Sequence, residues 1–482
     1  MSEIDTRIED AMRRHRAGDV DGAIAVYREL VDLHPENADL WHLLGVAVHQ
    51  KGNAGLAADL IETAISLNGG AADYYANLAM VRRALDDDEM AEEALRRAIG
   101  IDPGHGRSHS NLAGVLRSRG DFVGALAAAQ TAVRLSAEDA QAHNNLGNAL
   151  KDCGRAADAV ASYRRAIALD PDFALAHWNL SLALASLGEL QDAFTEMAWR
   201  WQWSGFPAPA RDFAVPLWRG APIEGANILL HAEQGLGDAI HFVRYAALVR
   251  ARGARVIAEC PPGLAPLVGA DLADTVIAAG DPLPAFDSHA PFLDLPRIFG
   301  TNLGNLPNAV PYLAVDAARR QDWRQRLAPL TGLKVGLNWT GNPASPVERF
   351  RQLPLDGLGP LADAAGVSWV SLQKGPGGDG LARPDAAFDL LETGEAPLAD
   401  TAALILALDL VITSDTAVAH LAGALGRPTW LLLHHAPDWR WMVEGNHSPW
   451  YPSLKLYRQA KPGDWAPVIA AAAGDLARLA AP

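Results

Sequence analysis

The sequence predicts an α + α/β protein, in which a solenoid of paired helices precedes two α/β halves, each built on a parallel sheet. Two observations predict it. Residue types recur at a step of 34 over the first 200 positions, and from Gly225 onward short apolar runs alternate with helical stretches. At 482 residues the chain is also about three times the ~150 residues of a typical domain, so it must be divided. With 49% hydrophobic and 20% charged residues it can bury several cores, which excludes a disordered or fibrous chain. A net charge of −16 argues against a broad grip on nucleic acid or anionic membrane. Two distant cysteines, Cys153 and Cys260, exclude a disulfide framework or a cysteine zinc site and fit a reducing compartment. The start, Met1 to Asp5, is polar and lacks the apolar core of a signal peptide. The best apolar stretch, Ala402 to Ile412, contains Asp409 and is too short to cross a bilayer. The expectation is a cytoplasmic protein with no membrane span and no nucleic-acid partner.

The repeat is read from three sets of positions. Leu44, Leu78, Leu112, Leu146 and Leu180 stand 34 residues apart. Gly18, Gly52, Gly120, Gly154 and Gly188 keep the same step, with Asp86 in the one missing place. Ala23, Ala57, Ala91, Ala125, Ala159 and Ala193 follow five residues later. A helix, a turn at the glycine and a second helix account for the pattern. The alanines allow close approach, the leucines fill the seam, and Pro35, Pro103 and Pro171 follow the second helix in alternate repeats. One such pair leaves an apolar face open, so pairs must stack. The pattern resembles the tetratricopeptide repeat, with about six units from Thr6 to Met197.

Asn77, Asn111, Asn145 and Asn179 precede the seam leucines at one phase. Asparagine is a middling helix former, so four in register require a reason. A ladder of amides facing the groove suits the backbone of an extended peptide, and the register resembles the superhelix of protein O-GlcNAc transferase. The alternative is that the amides satisfy neighbouring helix ends. Asp86-Asp87-Asp88 and Asp170-Pro171-Asp172 have a metal-binding look, but both fall at repeat turns where acidic residues cap helices, so no metal is expected there.

The period fades after Trp199, Trp201 and Trp203, and four prolines from Pro207 to Pro222 prevent a long helix. These tryptophans and Trp218 read as glue between the solenoid and the next domain rather than as an exposed aromatic strip. The expected organisation is a superhelix over 1–200, a Trp/Pro-rich junction over 201–224, an acceptor-side half over 225–330 and a donor-side half over 331–482.

In the α/β halves, strands are expected at 226–231, 254–259, 333–339, 367–372, 409–413 and 428–433, with a helix over 239–251. Ligands of such sheets lie beyond the carboxyl ends of the strands. Three patches fall there. In Glu233-Gln234-Gly235-Leu236-Gly237-Asp238, the glycines admit a ligand closely; Asp238 reads equally as a plain N-cap. Thr340, Gly341 and Asn342, followed by Arg349 and Arg351, offer hydroxyl, amide and guanidinium groups to a diphosphate, or are solvated surface. From Ser414 and Asp415 through Thr416, Ala417 and His420, a strand enters a helix whose small opening residues leave amides free for phosphate.

Together the patches resemble the family 9 (heptosyltransferase-type) glycosyltransferases, over roughly Asn227 to Asp464. The resemblance implies a GT-B fold of two Rossmann-like halves. It implies a catalytic base at Asp238 on an acceptor-side loop with Gln234, Gly235 and Gly237. It implies donor-phosphate contacts at Asp415, Thr416, Ala417 and His420, a diphosphate contact at Arg351, and nucleoside recognition near Gln373 and Lys374, where an acidic residue is more usual. Heptosyltransferases lack repeats. The combination, with the Ala436-to-Trp441 and Ser448-to-Pro452 runs, resembles bacterial repeat-containing glycosyltransferases, some of which modify flagellins. A protein acceptor is therefore expected, with a nucleotide-sugar as co-substrate, no separate cofactor and no metal. Two other readings stand beside this one. One is a scaffold whose transferase-like region is inactive. The other is a dinucleotide oxidoreductase, which Ile240 opposes by standing where the fingerprint needs Gly or Ala.

Overall fold

The structure is a computed structural model that describes residues 3–374, 388–394 and 396–481. The loop from Gly375 to Gly380 lies outside the described residues. Twelve helices build the repeats: α1 (Glu3–Arg16), α2 (Val20–Leu33), α3 (Ala38–Gln50), α4 (Ala54–Leu67), α5 (Ala72–Ala84), α6 (Asp88–Ile101), α7 (Gly106–Arg119), α8 (Phe122–Leu135), α9 (Ala140–Asp152), α10 (Ala156–Leu169), α11 (Ala174–Ser186) and α12 (Leu190–Glu196).

The recurring residues explain the turns. Gly18, Gly52, Gly120, Gly154 and Gly188 all take φ between +74° and +89°, and Asp86 takes +58° in the same place. Aspartate tolerates that left-handed conformation better than most residues, which is why it can replace glycine there. All six phase alanines are fully buried. One residue beyond the glycine sits a second periodic device. Asp19, Asn53, Asp87 and Asp121 each accept a hydrogen bond from the backbone N–H three residues on, capping the following helix. Asp86, Asp87 and Asp88 are thus a turn residue, a cap and an acceptor for the Ser118 hydroxyl. Asp170 accepts from the Asp172 N–H. Both acidic runs are turn chemistry.

The chain divides into two compact units, Met1–Ala176 and His177–Pro482. Most of α11 and all of α12 lie in the second unit. The Val443 N–H donates to the Ser186 carbonyl at 3.0 Å, and Phe194 meets Trp439 edge-on with ring centroids 5.9 Å apart. Trp199 stacks on His177 at 3.9 Å, and Trp203 lies against Trp178. These two tryptophans turn back onto α11, whereas Trp218 is buried against the α/β half, its N–H donating to the Ala221 carbonyl. Residues Met197–Gln202 form a 3₁₀ turn rather than an extended strip.

The first half carries a four-stranded parallel sheet in the order β3 (Thr275–Ala278), β2 (Arg255–Cys260), β1 (Asn227–His231), β4 (Ser288–Pro291). The second carries a six-stranded parallel sheet, β10 (Leu454–Arg458), β9 (Thr429–Leu433), β8 (Leu410–Thr413), β5 (Leu333–Asn338), β6 (Val367–Ser371), β7 (Leu390–Leu391). The strand order reverses beside β1 in one sheet and between β5 and β8 in the other, and such switch points open crevices at the strand ends. All three sequence patches follow these strands. The expected helix over 239–251 is corrected. α13 begins at Leu236 and runs to Phe242, a 3₁₀ turn spans Val243–Tyr245, and α14 covers Ala246–Arg250. Gly235 alone is the N-cap, so Asp238 lies in the first helical turn instead of capping it. Among the described residues, no helix is long and apolar enough to cross a membrane.

Close packing in the repeats is testable at two glycines. A Cβ on Gly147 would lie 2.5 Å from the buried Tyr163 ring, whereas one on Gly100 would meet nothing within 4 Å. In urea unfolding followed by helical circular dichroism, Gly147→Ala should destabilise by about 1–3 kcal/mol. Gly100→Ala should stabilise by up to ~1 kcal/mol. Equal behaviour of the two variants would refute the packing argument.

Candidate active site

The site is assembled from the first turn of α13, the strand ends of β5 and β8, and α20 (Ala417–Ala424). Asp238 is half-buried. Its Oδ1 accepts a hydrogen bond from Arg440 Nη2 at 2.5 Å, an ion pair between the two α/β halves. Arg440 is buried, and its Nη1 donates to Asp438 at 3.0 Å. Its guanidinium lies over the rings of Trp439 (4.4 Å) and Phe242 (5.4 Å). Burial raises the Asp238 pKa, Arg440 opposes that, and Asp438 adds to it. Arg440 is a site residue that the sequence reading missed. The signal was a lone arginine between two tryptophans, which must be buried and therefore needs counter-charges.

α13 reaches α20 because Gly237 has no side chain. A Cβ there would lie 3.1 Å from the His420 ring and 3.9 Å from the Ala417 backbone. The Tyr451 hydroxyl bridges His241 Nδ1 (3.1 Å) and His420 Nδ1 (2.9 Å), and His420 also stacks on Trp441. Both imidazoles are buried and held neutral, first by desolvation and then by the nearby arginines. The structure therefore places His420 in the packing between the halves.

The residues at the ends of β5 and β8 are organised by two buried hubs. Asn338, at the end of β5, accepts hydrogen bonds from the Thr413 (2.9 Å) and Thr416 (2.8 Å) hydroxyls and donates to Gln373 Oε1 (2.9 Å). Gln373 Oε1 also accepts from the Trp339 and Thr340 N–H groups, so this side chain frames the strand ends. Glu348 is the second hub. It accepts from the Thr340 hydroxyl (2.9 Å), from the Gly341 N–H (2.5 Å) and from Arg351 Nε (2.5 Å). A Cβ on Gly341 would stand 3.1 Å from Arg351 and 3.2 Å from Thr416, so the second and third patches meet here. Thr416 caps α20 through the Val418 N–H. Asp415 is buried beside them, and its carboxyl is pushed up to about 6 by desolvation and by Asp438, against the Trp441 indole and the guanidiniums of Arg351 and Arg440.

Asn342 is exposed and accepts from the Ala344 N–H within its own turn. Lys374 reaches Thr393 and the Gly394 carbonyl. Gln234 lines a small cavity with Glu233, Asp238, Phe242, Phe292 and Leu293, and Gly235 is exposed beside it. Arg200, fully buried, donates through Nη2 to Asp294 (2.8 Å) and Glu233 (3.1 Å). Desolvation, reinforced by Asp294 and opposed by Arg200, pushes Glu233 up to about 7. Glu259, near the end of β2, is held by Arg211.

In the repeats, Asn77 pairs with His42 (2.7 Å) and Asn145 donates to the Ser110 hydroxyl (2.8 Å), each 35 residues earlier. Asn111 is half-buried and makes no such bond among the described residues, and Asn179 is buried in α11.

Family models bear on both regions. Tetratricopeptide-repeat models match residues 11–73, 72–105 and 147–188, and the glycosyltransferase family 9 (heptosyltransferase) model matches residues 384–438. This is a tetratricopeptide-repeat protein with a glycosyltransferase-like α/β region. Protein FlbA of Caulobacter vibrioides is 29% identical to this repeat glycosyltransferase-like chain over 306 residues. The match covers 56% of this chain and 50% of that relative, so the chain spans about half the relative's length. Among solved structures, the MamA protein is 22% identical over 35% of this chain and 93% of its own, with a TM-score of 0.30. YrrB, described as a TPR protein with an unusual peptide-binding site, is 21% identical over 35% and 88%, with a TM-score of 0.30. TTC0263, a TPR protein of Thermus thermophilus, is 18% identical over 37% and 98%, with a TM-score of 0.34.

The buried Asp415 carboxyl has a thermodynamic signature. A raised carboxyl pKa means that the folded state holds its proton longer, so this group costs stability as pH rises from 3.8 to about 6. Asp415→Asn should therefore gain stability relative to wild type progressively across that window and keep a constant gain above it. Denaturant midpoints of both proteins measured from pH 4 to 8 test this, and a gain independent of pH would refute it.

Proposed function

We propose that this protein transfers a sugar from a nucleotide-sugar to a hydroxyl, that of Ser or Thr on a protein held by the repeats. The observation that carries the reading is convergence. Gly237 touches Ala417 and His420, and Gly341 stands between Arg351 and Thr416, so three patches from distant sequence form one locus. The family 9 match supports the reaction class.

In this mechanism the acceptor oxygen attacks the anomeric carbon from the face opposite the diphosphate. The bond from that carbon to the diphosphate oxygen breaks, and its electron pair leaves with the nucleoside diphosphate. One displacement inverts the anomeric configuration. Asp238 takes the hydroxyl proton. Its carboxylate is held by Arg440 through Oδ1 and by the Gly235 backbone N–H. Arg351, Lys374 and the amides at Thr416 and Ala417 stabilise the leaving diphosphate, so the step is written without a metal. The half-buried Asp238 is oriented before substrate arrives, which is what a base in a displacement requires.

The test is a thermal-shift screen against nucleoside diphosphates, nucleotide-sugars and NAD, followed by transfer assays read by mass spectrometry with flagellin among the acceptors. One nucleotide family should stabilise the protein, and Arg351→Ala should remove that shift. Asp238→Asn should lower turnover by about 10²–10⁴-fold while donor binding changes only a few-fold. No shift with any nucleotide would favour the scaffold reading, and a shift with NAD alone would favour the oxidoreductase.

A further inference from the structure

We propose that Glu233 is the second working carboxylate of the acceptor-side cavity. It receives from Asp238 the proton released by the acceptor hydroxyl, and Arg200 is the residue that positions it. The inference rests on the transferase reading and deepens it.

Three geometric facts support the assignment. Glu233 and Asp238 line one cavity. The Glu233 side chain is buried, and its Oε1 accepts no well-aligned hydrogen bond, although Arg200 Nη2 lies 3.0 Å from it. Arg200 is itself fixed on three sides, by Asp294, by Glu233 and by the Met197 carbonyl, which accepts from Nη1 at 3.1 Å.

The charges do not balance. Glu233, Asp294, Asp238 and Asp438 face Arg200 and Arg440, so the cluster holds two excess negative charges when fully ionised. Excess negative charge in a desolvated site is relieved by retaining a proton on a buried carboxyl. Glu233 is such a group, and its pKa is pushed up to about 7. Asp238, beside Arg440, is the better placed to meet the hydroxyl. Glu233 is the better place for the proton to rest. The proton moves from the acceptor oxygen to Asp238 and then to Glu233, and solvent collects it through the open cavity. No other reactant is required.

For this role Glu233 must begin ionised, so kcat/KM should rise as pH increases through about 7. Glu233→Gln, nearly isosteric, should lower kcat by at least about tenfold and abolish that ascending limb. Arg200 opposes the rise in the Glu233 pKa, so Arg200→Met should move the limb to higher pH, and Arg200→Lys should move it less. A purely structural arginine would lower activity without moving the limb. Should Arg200→Met fail to fold by circular dichroism, the Glu233→Gln profile decides alone. A wild-type limb that survives unchanged in Glu233→Gln, in protein that still binds nucleotide and turns over, overturns this inference and leaves the transferase reading intact. Absence of both nucleotide binding and turnover in wild type overturns the transferase reading, and this inference with it.

Discussion

The ion pair between Arg440 and Asp238 is the constraint on which the site depends. It joins a residue of the first helical turn after β1 to a turn after β9, 202 positions apart in the chain. Burying a guanidinium is costly unless its charge is answered, and here two carboxylates and two aromatic faces answer it. The same contact requires α13 and α20 to lie close, and Gly237 is the residue that permits that approach. The paired histidines under Tyr451 fill the space behind the ion pair with neutral, hydrogen-bonded groups.

At the ends of β5, β6 and β8, the polar residues bond mainly with each other. Asn338 accepts from Thr413 and Thr416, Glu348 accepts from Thr340, Gly341 and Arg351, and Gln373 ties β5 to the end of β6. Such networks hold backbone and side chains in place without a ligand, which is how a site lowers the reorganisation required at the moment of reaction. Arg351 is oriented by Glu348 in the same way and keeps part of its surface exposed.

The repeats were legible because their signal is periodic: Gly18 to Gly188 and Ala23 to Ala193 repeat one local geometry at a fixed step. The strands at β1, β5 and β8 were legible because apolar runs end at polar turns. What escaped has one physical cause. Arg440, Arg200 and Glu233 owe their roles to partners far away in sequence, and no local pattern encodes that a charge will be buried. Gln373 looked like a ligand-binding amide for the same reason, since its three bonds to the β5 end appear only once the sheet has formed. The start of α13 was misplaced because two glycines suggest a loop, whereas Gly235 alone sits outside the helix.

The last helical pair has two loyalties. By sequence, α11 and α12 are a repeat like the others, yet Ser186 accepts from Val443 and Phe194 rests on Trp439, the neighbour of Arg440. A solenoid repeat contacts only its neighbours in the stack, so its surface can drift independently of distant parts. The sixth is not free to drift in that way. It has become part of the wall of the α/β region, so its sequence answers to the enzyme-like half even though its periodicity belongs to the solenoid.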